Sequence, residues 1–405
     1  MELEHRKLRV AILGATGTVG QRFVSLLANH PFFVVHAVCA SSRSAGRPYG
    51  AAAAWKLPGS IPKATAALVI ETCDAVRPGT RLAACDVAFS GLDSSVATEI
   101  EAAVARAGIP VYSNAKNYRM HANVPLVVPT ANAHHIKPMA ASQVARGGAL
   151  HLLPAPSASK SGEVVIERAG GFIVTNSNCS TTGFAVVLSA LTTAFGRSNA
   201  VTQAHVVTMQ AVSGAGYPGL PVLDVFDNVV PFIDGEEDKL ETEPLKILGT
   251  VATDGTCVAD FDGLRVSAAC NRVPVLDGHT LTLSLKFAAG ADGTVPSPAA
   301  VEEALRSYVP PCIDTLLQCP SYPRGSDGDD TDGPIHVTAE SDRPQPRLDR
   351  DRGRGMTVTV GRVRACNLLD VKMVVLTHNT LLGAAGAALL NAEVSVVHGL
   401  LLPLS

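Results

Sequence analysis

The sequence predicts an α/β protein: a doubly wound parallel sheet followed by a second, α+β domain. Three features predict it. An apolar run from Lys7 to Leu13 enters Gly14-Ala15-Thr16-Gly17-Thr18-Val19-Gly20, then a helical pattern at Phe23, Leu26 and Leu27. Apolar runs and helical patterns then alternate as far as Tyr112, and repeated βα units build parallel sheets. Far along the chain, Gly171 to Thr175 leads into Asn176-Ser177-Asn178-Cys179-Ser180-Thr181-Thr182-Gly183 and another helical pattern, which opens a new region. With 405 residues, 47% of them hydrophobic, the chain can build two cores.

A net charge of -3 gives no basis for a nucleic-acid or anionic-membrane partner. Nine cysteines stand at 39, 73, 85, 179, 257, 270, 312, 319 and 366, without short paired spacing. That excludes the usual metal-ligand pattern and suits free thiols in a reducing compartment, hence a cytoplasmic protein. Met1 to Lys7 contains no apolar signal region. The apolar stretch from Leu381 to Leu402 is interrupted by Asn391, Glu393 and His398, so a packed helix is expected there rather than a membrane span.

In chain order, the first glycine loop is spaced GxxGxxG. Between a strand and a helix, such a loop lets backbone approach a pyrophosphate at the helix N-terminus. Gly14, Thr16, Gly17, Thr18 and Val19 are therefore cofactor candidates. The next strand, Phe33 to Ala40, ends in Ser41-Ser42-Arg43-Ser44, with Arg47 nearby. Hydroxyls and a guanidinium suit a 2′-phosphate, which favours NADP over NAD; the alternative is an ordinary polar turn. Asp86 to Asp93 reads as a strand ending in a small-residue turn at Ser90, a helix is expected from Ser95 to Ala107, and a strand from Ile109 to Tyr112. Ser113-Asn114-Ala115-Lys116-Asn117-Tyr118-Arg119 then either binds an anion or forms a solvated loop. Residues Met139 to Arg168 read as an irregular connection.

Cys179 lies between strand and helix, where free N–H groups and the dipole favour a thiolate and can receive an oxyanion. The alternative is a small buried cysteine among polar caps. Val201 to Gln210 alternates as a strand and ends in a glycine-rich turn containing Ser213 and Gly214. Glu236 to Gly249 is helical, with Glu243 and Lys246 three apart as site residues or as a surface ion pair. Arg265 to Cys270 and Thr280 to Phe287 read as strands. Asp277-Gly278 between them suggests a hairpin or turn bringing Arg272 near His279. His279 is either structural or the base that a cysteine nucleophile needs. Residues 320 to 356 read as an exposed loop, and two strands follow, at Met356 to Arg364 and Asp370 to Leu376. His378-Asn379-Thr380 caps a helix whose small face, Gly383 to Gly386, suits close packing on the nucleotide domain. The division expected is 1–168 for the nucleotide domain, 169–378 for the second domain and 379–405 for the returning helix.

A dinucleotide, a nucleophilic cysteine and a histidine together suggest hydride transfer at the acyl level through a thioester. These stretches, in this order, resemble the aspartate-semialdehyde dehydrogenases of the fungal and archaeal-like branch. The resemblance implies a Rossmann-type NADP-binding domain and a catalytic and dimerisation domain with a mixed sheet. It implies NADPH-dependent reduction of β-aspartyl phosphate to aspartate semialdehyde and inorganic phosphate, toward threonine, methionine and isoleucine, and in some organisms lysine. It also implies Cys179 as nucleophile and His279 as general acid/base. Arg272 would hold the substrate carboxylate and Glu243 its amino group, with Glu241 a rival. Arg119 and Lys246 would hold phosphate, Gln210 and Asn178 would help bind substrate, and Ser90, Ser213, Gly214, Asn379 and Thr380 would lie with the cofactor. A homodimer or homotetramer is expected. The competing readings are N-acetyl-γ-glutamyl-phosphate reductase, malonyl-CoA reductase, a non-catalytic NADP-binding regulator and a cysteine hydrolase.

Overall fold

The computed structural model describes residues 7–73, 76–147, 170–197, 200–290, 293–324 and 333–401. Seven parallel strands form the first sheet: β1 (Leu8–Leu13), β2 (Phe33–Ala40), β3 (Glu71–Thr72), β4 (Val87–Ser90), β5 (Val111–Ser113), β6 (Leu126–Val127) and β7 (Ile173–Asn176). Their order is β3-β2-β1-β4-β5-β7-β6. Strands buried on both faces read as continuous apolar runs, which is how β1 and β4 read in the sequence. Helix α1 (Thr18–Leu26) follows the glycine loop, and α2 (Ser94–Arg106) starts at Asp93, whose side chain caps Ser95 N–H.

The second sheet is mixed. It contains β8 (Val201–Gln210), β9 (Arg265–Arg272), β10 (His279–Phe287), β11 (Ile335–Val337), β12 (Val358–Ala365) and β13 (Val371–Thr377), in the order β9-β8-β10-β13-β12-β11. Against the second sheet runs α3 (Cys179–Phe195), buried continuously from Ser180 to Leu191. A helix that is apolar on all sides belongs in a core, and this one packs on β13 and on the chain's last helical segment. Helix α4 (Glu236–Ile247) lies against α3 and β9. The C-terminal segment opens with a wide π turn at Leu381–Ala385 and continues as α5 (Gly386–Val397), which packs on β5, β7 and α1.

Four readings change with the tertiary structure. Strand β7, which a division at 168/169 assigns to the second domain, pairs with β5 and β6 in the first sheet. The Asp277-Gly278 turn does not close a hairpin: β8 lies between β9 and β10. The connection from Val273 to Gly278 crosses the end of β8, where Val212 and Ser213 N–H groups bond Val275 and Leu276 carbonyls. The expected irregular connection begins inside a helix, Ile136–Ala145, and residues 148–169 lie outside the described ones. Within 320–356, an exposed loop by sequence, Ile335–Val337 supplies an edge strand to the second sheet, and Tyr322, Ile335 and Val337 are buried.

Candidate active site

The site is built where four chain segments end. Cys179 is the first residue of α3, and the Asn178 side chain caps that helix by accepting from Ser180 N–H at 3.0 Å. Gly183 lets α3 lie against β13, since a Cβ there would meet Thr377 Oγ1 at 2.0 Å. Gly383 lets the last segment reach the cysteine; a Cβ there would lie 3.0 Å from Cys179 Cβ. His279 opens β10, fully buried, with Nε2 3.1 Å from Cys179 Sγ. Its Nδ1 accepts the Ala211 backbone N–H at 3.0 Å. Nδ1 is thereby an acceptor, so the neutral ring carries its proton on Nε2, facing sulfur.

Burial dominates the ionisation of this pair. It pushes His279 down to about 3, with nearby Arg272 acting in the same direction. It pushes the Cys179 thiol up to about 12, with Glu236 adding to it and Arg119, Arg272 and Lys239 opposing. The resting pair is therefore a neutral thiol beside a neutral imidazole. Thiolate formation, expected from the helix end alone, is outweighed by desolvation.

Two guanidiniums flank the pair. Arg272, last residue of β9, donates from Nη1 to the Ala211 carbonyl at 2.8 Å. Arg119 donates from Nη1 to Glu243 and from Nη2 to the Asn114 carbonyl. In both, the buried Nε has no partner among the described residues. Both arginines line one cleft, and two buried guanidiniums there call for anionic groups. Gly214 sits against both machineries; a Cβ there would meet Arg272 Nη1 at 2.9 Å and His279 Cε1 at 3.2 Å.

Opposite stands Glu236, at the start of α4 and on the cleft wall. It accepts from Asn178 Nδ2 at 2.9 Å, from Lys239 Nζ at 2.6 Å and from Gln210 Nε2 at 3.1 Å. These three donors outweigh its burial and keep it ionised, below the usual carboxylate range. Thr18 and Val19, in the first turn of α1, form the far wall with Ser213, Asn379 and Thr380. Asn379 donates to Ser213 Oγ at 2.8 Å and accepts from Gly278 N–H at 2.9 Å. The glycine loop shows the close packing a pyrophosphate cradle needs. A Cβ on Gly20 would meet the Gly14 carbonyl at 2.2 Å, and Gly14 has φ +76 with the Gly91 carbonyl 2.7 Å from its Cβ position. These residues fit a dinucleotide whose reactive end reaches Cys179.

Known proteins match along the whole chain. The semialdehyde dehydrogenase NAD binding domain matches residues 9–139, and the semialdehyde dehydrogenase dimerisation domain matches residues 188–382. The aspartate-semialdehyde dehydrogenase of Candida albicans is 46% identical over 95% of this chain and 97% of its own. The Archaeoglobus fulgidus relative of the same name is 39% identical over 96% and 97%. The chain belongs to the aspartate-semialdehyde dehydrogenase family. The crystal structure of the Candida albicans enzyme with NADP has a TM-score of 0.81 at 43% identity, covering 98% of this chain and all of that one.

Against that family background, most of the residues expected from the sequence converge on one cleft. Arg119, Asn178, Cys179, Gln210, Ser213, Gly214, Arg272, Asn379, Thr380, Thr18 and Val19 line it, with His279 directly behind the sulfur. Gly14, Thr16 and Gly17 shape the loop beneath Thr18. Ser41, Ser42 and Arg43 are exposed and Ser44 half-buried, in the turn after β2.

Four expected residues lie elsewhere. Ser90 is fully buried and donates to Glu101 at 2.6 Å, so its hydroxyl is turned away from the cleft. Glu243 spends one carboxylate oxygen on Arg119 and the other on Asn178 N–H at 2.6 Å. It braces the site from behind. Lys246 donates all its protons to the carbonyls of Arg119, His121 and Val124. It braces the loop that carries Arg119 and has none left for phosphate. Glu241 accepts Ala268 N–H on β9. The residues missed are Glu236 and Lys239. Their signal was present: Glu236-x-x-Lys239 has the same spacing as Glu243-x-x-Lys246, one heptad earlier on the same helix.

Proposed function

We propose that this chain catalyses the reversible, NADPH-dependent reduction of β-aspartyl phosphate to L-aspartate semialdehyde and phosphate. The observation that carries the reading is the Cys179–His279 contact of 3.1 Å beside two buried arginines with open Nε donors. One open guanidinium suits the substrate α-carboxylate and the other a phosphoryl group. A neighbouring carboxylate, Glu236, suits its ammonium.

In this reading Arg272 holds the carboxylate and Glu236 the ammonium, so the acyl phosphate is laid across Cys179. Arg119 and Lys239 hold the phosphoryl oxygens. Cys179 sulfur attacks the acyl carbon, its proton passing to the departing phosphate; the carbon–oxygen bond breaks and a thioester remains. Bound NADPH supplies the hydride that the thioester carbon accepts. His279 Nε2–H faces the oxygen on which charge develops and donates to it. The carbon–sulfur bond then breaks, releasing the aldehyde and a Cys179 thiolate, which a solvent proton returns to the thiol. Ser213, Asn379 and Thr380 hold the nicotinamide end, Thr18 and Val19 the pyrophosphate, and Ser41 to Ser44 the 2′-phosphate. The product serves threonine, methionine and isoleucine synthesis.

We assign the exposed apolar side chains Tyr217, Leu220, Val222, Leu223, Phe226 and Phe232 to contact with a second copy, giving a homodimer or a homotetramer. None of the nine cysteines is in a disulfide, which supports a reducing, cytoplasmic setting. No helix among the described residues is long and apolar enough to cross a membrane.

The test is NADP reduction with aspartate semialdehyde, with and without phosphate. Phosphate dependence, preference for NADP over NAD and complete loss in Cys179→Ala are expected. Turnover without phosphate would remove the anion roles of Arg119 and Lys239, and residual turnover in Cys179→Ala would remove the nucleophile.

A further inference from the structure

We propose that Tyr49 and Gln21 are positioning residues for the cofactor pyrophosphate: they hold the Ala15 and Thr16 carbonyls away from the cleft, so that the Thr16, Thr18 and Val19 N–H groups, and no carbonyl oxygen, face the anion. The inference rests on the NADP reading above. A loop that binds a pyrophosphate through backbone N–H groups has one intrinsic weakness. Each peptide can flip and present a carbonyl oxygen to the phosphate instead, and glycine makes flipping cheap. A selective loop must therefore tie its carbonyls down.

In this chain every carbonyl from Gly14 to Gly17 has a donor. Gly14 O accepts Gly17 N–H at 3.0 Å, and Gly17 O accepts Gln21 N–H at 2.9 Å. The two between them are held by side chains. Tyr49 Oη donates to Ala15 O at 2.8 Å, from a position 34 residues away and with no exposure. Burial raises the Tyr49 phenol well above its usual range, so it stays a donor. Gln21 Nε2 donates to Thr16 O at 3.0 Å and to Ala54 O at 3.0 Å, while its Oε1 accepts Lys56 N–H at 2.8 Å. Gln21 is thus fixed at both ends of its amide, with 2% of its surface exposed. A buried Tyr and a buried Gln spent on two adjacent loop carbonyls have a plain consequence: neither peptide can turn over without breaking a bond in a dry site. With those carbonyls held, Thr18 and Val19 present the first, unpaired N–H groups of α1 to the cleft.

The test is calorimetric binding to the full chain without substrate, using NADP and adenosine 2′-monophosphate, which carries the 2′-phosphate but no pyrophosphate. Tyr49→Phe and Gln21→Met are compared with the unaltered chain. Each substitution is expected to weaken NADP about five- to tenfold, the worth of the one loop-carbonyl hydrogen bond that each removes from Ala15 O or Thr16 O. Adenosine 2′-monophosphate should bind all three chains within about twofold, as its contacts are those assigned to Ser41 to Ser44. Unchanged NADP affinity in both variants would overturn the inference. So would equal weakening of both ligands, which marks general damage to the domain. If the unaltered chain bound neither ligand, the cofactor reading itself would fall, and the inference with it.

Discussion

Glu236→Gln tests the assignment of the substrate ammonium, and Glu243→Gln is its control. Glu236 accepts three protein hydrogen bonds, from Asn178, Lys239 and Gln210. An ionised carboxylate has about four lone-pair positions, so one remains for the cleft. A charge-assisted hydrogen bond to an ammonium contributes about 1.5 to 3 kcal/mol. Glu236→Gln should therefore lower kcat/KM for aspartate semialdehyde by about 10- to 150-fold. Its cost in stability should be below that of Glu243→Gln, because the charge left without its partner is Lys239, whose side chain is 21% exposed and reaches water. Glu243→Gln should do the reverse. It strips the charge partner from Arg119, whose side chain is 9% exposed, and breaking such a buried pair costs about 3 kcal/mol. The assay is NADP reduction measured with aspartate semialdehyde and with succinate semialdehyde, which lacks the ammonium, alongside thermal unfolding. Glu236→Gln should be nearly silent on succinate semialdehyde, because the lost interaction requires the missing group. If Glu236→Gln slowed both aldehydes equally, or if only Glu243→Gln discriminated between them, the assignment to Glu236 would be wrong.

Two further outcomes follow from buried groups. Lys246→Met leaves three backbone carbonyls without their donor and should destabilise by about 2 to 4 kcal/mol, relief of the buried charge offsetting part of the loss, with phosphate KM unchanged. Lys239→Met should raise phosphate KM about tenfold at near-normal stability; the opposite pattern would restore Lys246 to the phosphate. Glu101 is the second group: burial raises its carboxyl from 4.5 to about 7, against the Ser90 and Ser113 hydroxyls and Arg119. The folded state then binds more protons than the unfolded state between those values, so stability falls as pH rises through them. Relative to Glu101→Gln, the unaltered chain should lose about 3 kcal/mol between pH 4.5 and about 8 by denaturant unfolding. Parallel pH curves for the two would refute the raised value.

Strands and helices of this chain were legible because their signals are local. The apolar run into Gly14, the capped start at Asn178 and the alternation of Val201 to Gln210 each depend on neighbours a few residues apart. Cys179 was legible for the same reason, as a cysteine at a helix start. Helix α4 marks where that logic stops. Glu236 and Glu243 are seven residues apart, as are Lys239 and Lys246, so each pair projects from nearly the same face. Periodicity cannot say which turn meets the cleft. Packing decides it: the first turn reaches Asn178 and Gln210, while the last lies under the loop from Arg119 to Val124.

Local signals alone carried the α/β plan, the glycine loop, the cysteine at a helix start and the family resemblance. Packing decided which carboxylate of α4 stands on the cleft wall and which lysine is bonded to it. It alone turned Ser90 toward Glu101 and drew β7 into the first sheet. The nearness of Arg272 and His279 was expected from the sequence, but the tertiary structure alone showed that they meet across β8, on the carbonyl and the N–H of Ala211. These last choices rest on strand order and on hydrogen bonds between residues far apart in the chain, and local spacing encodes neither.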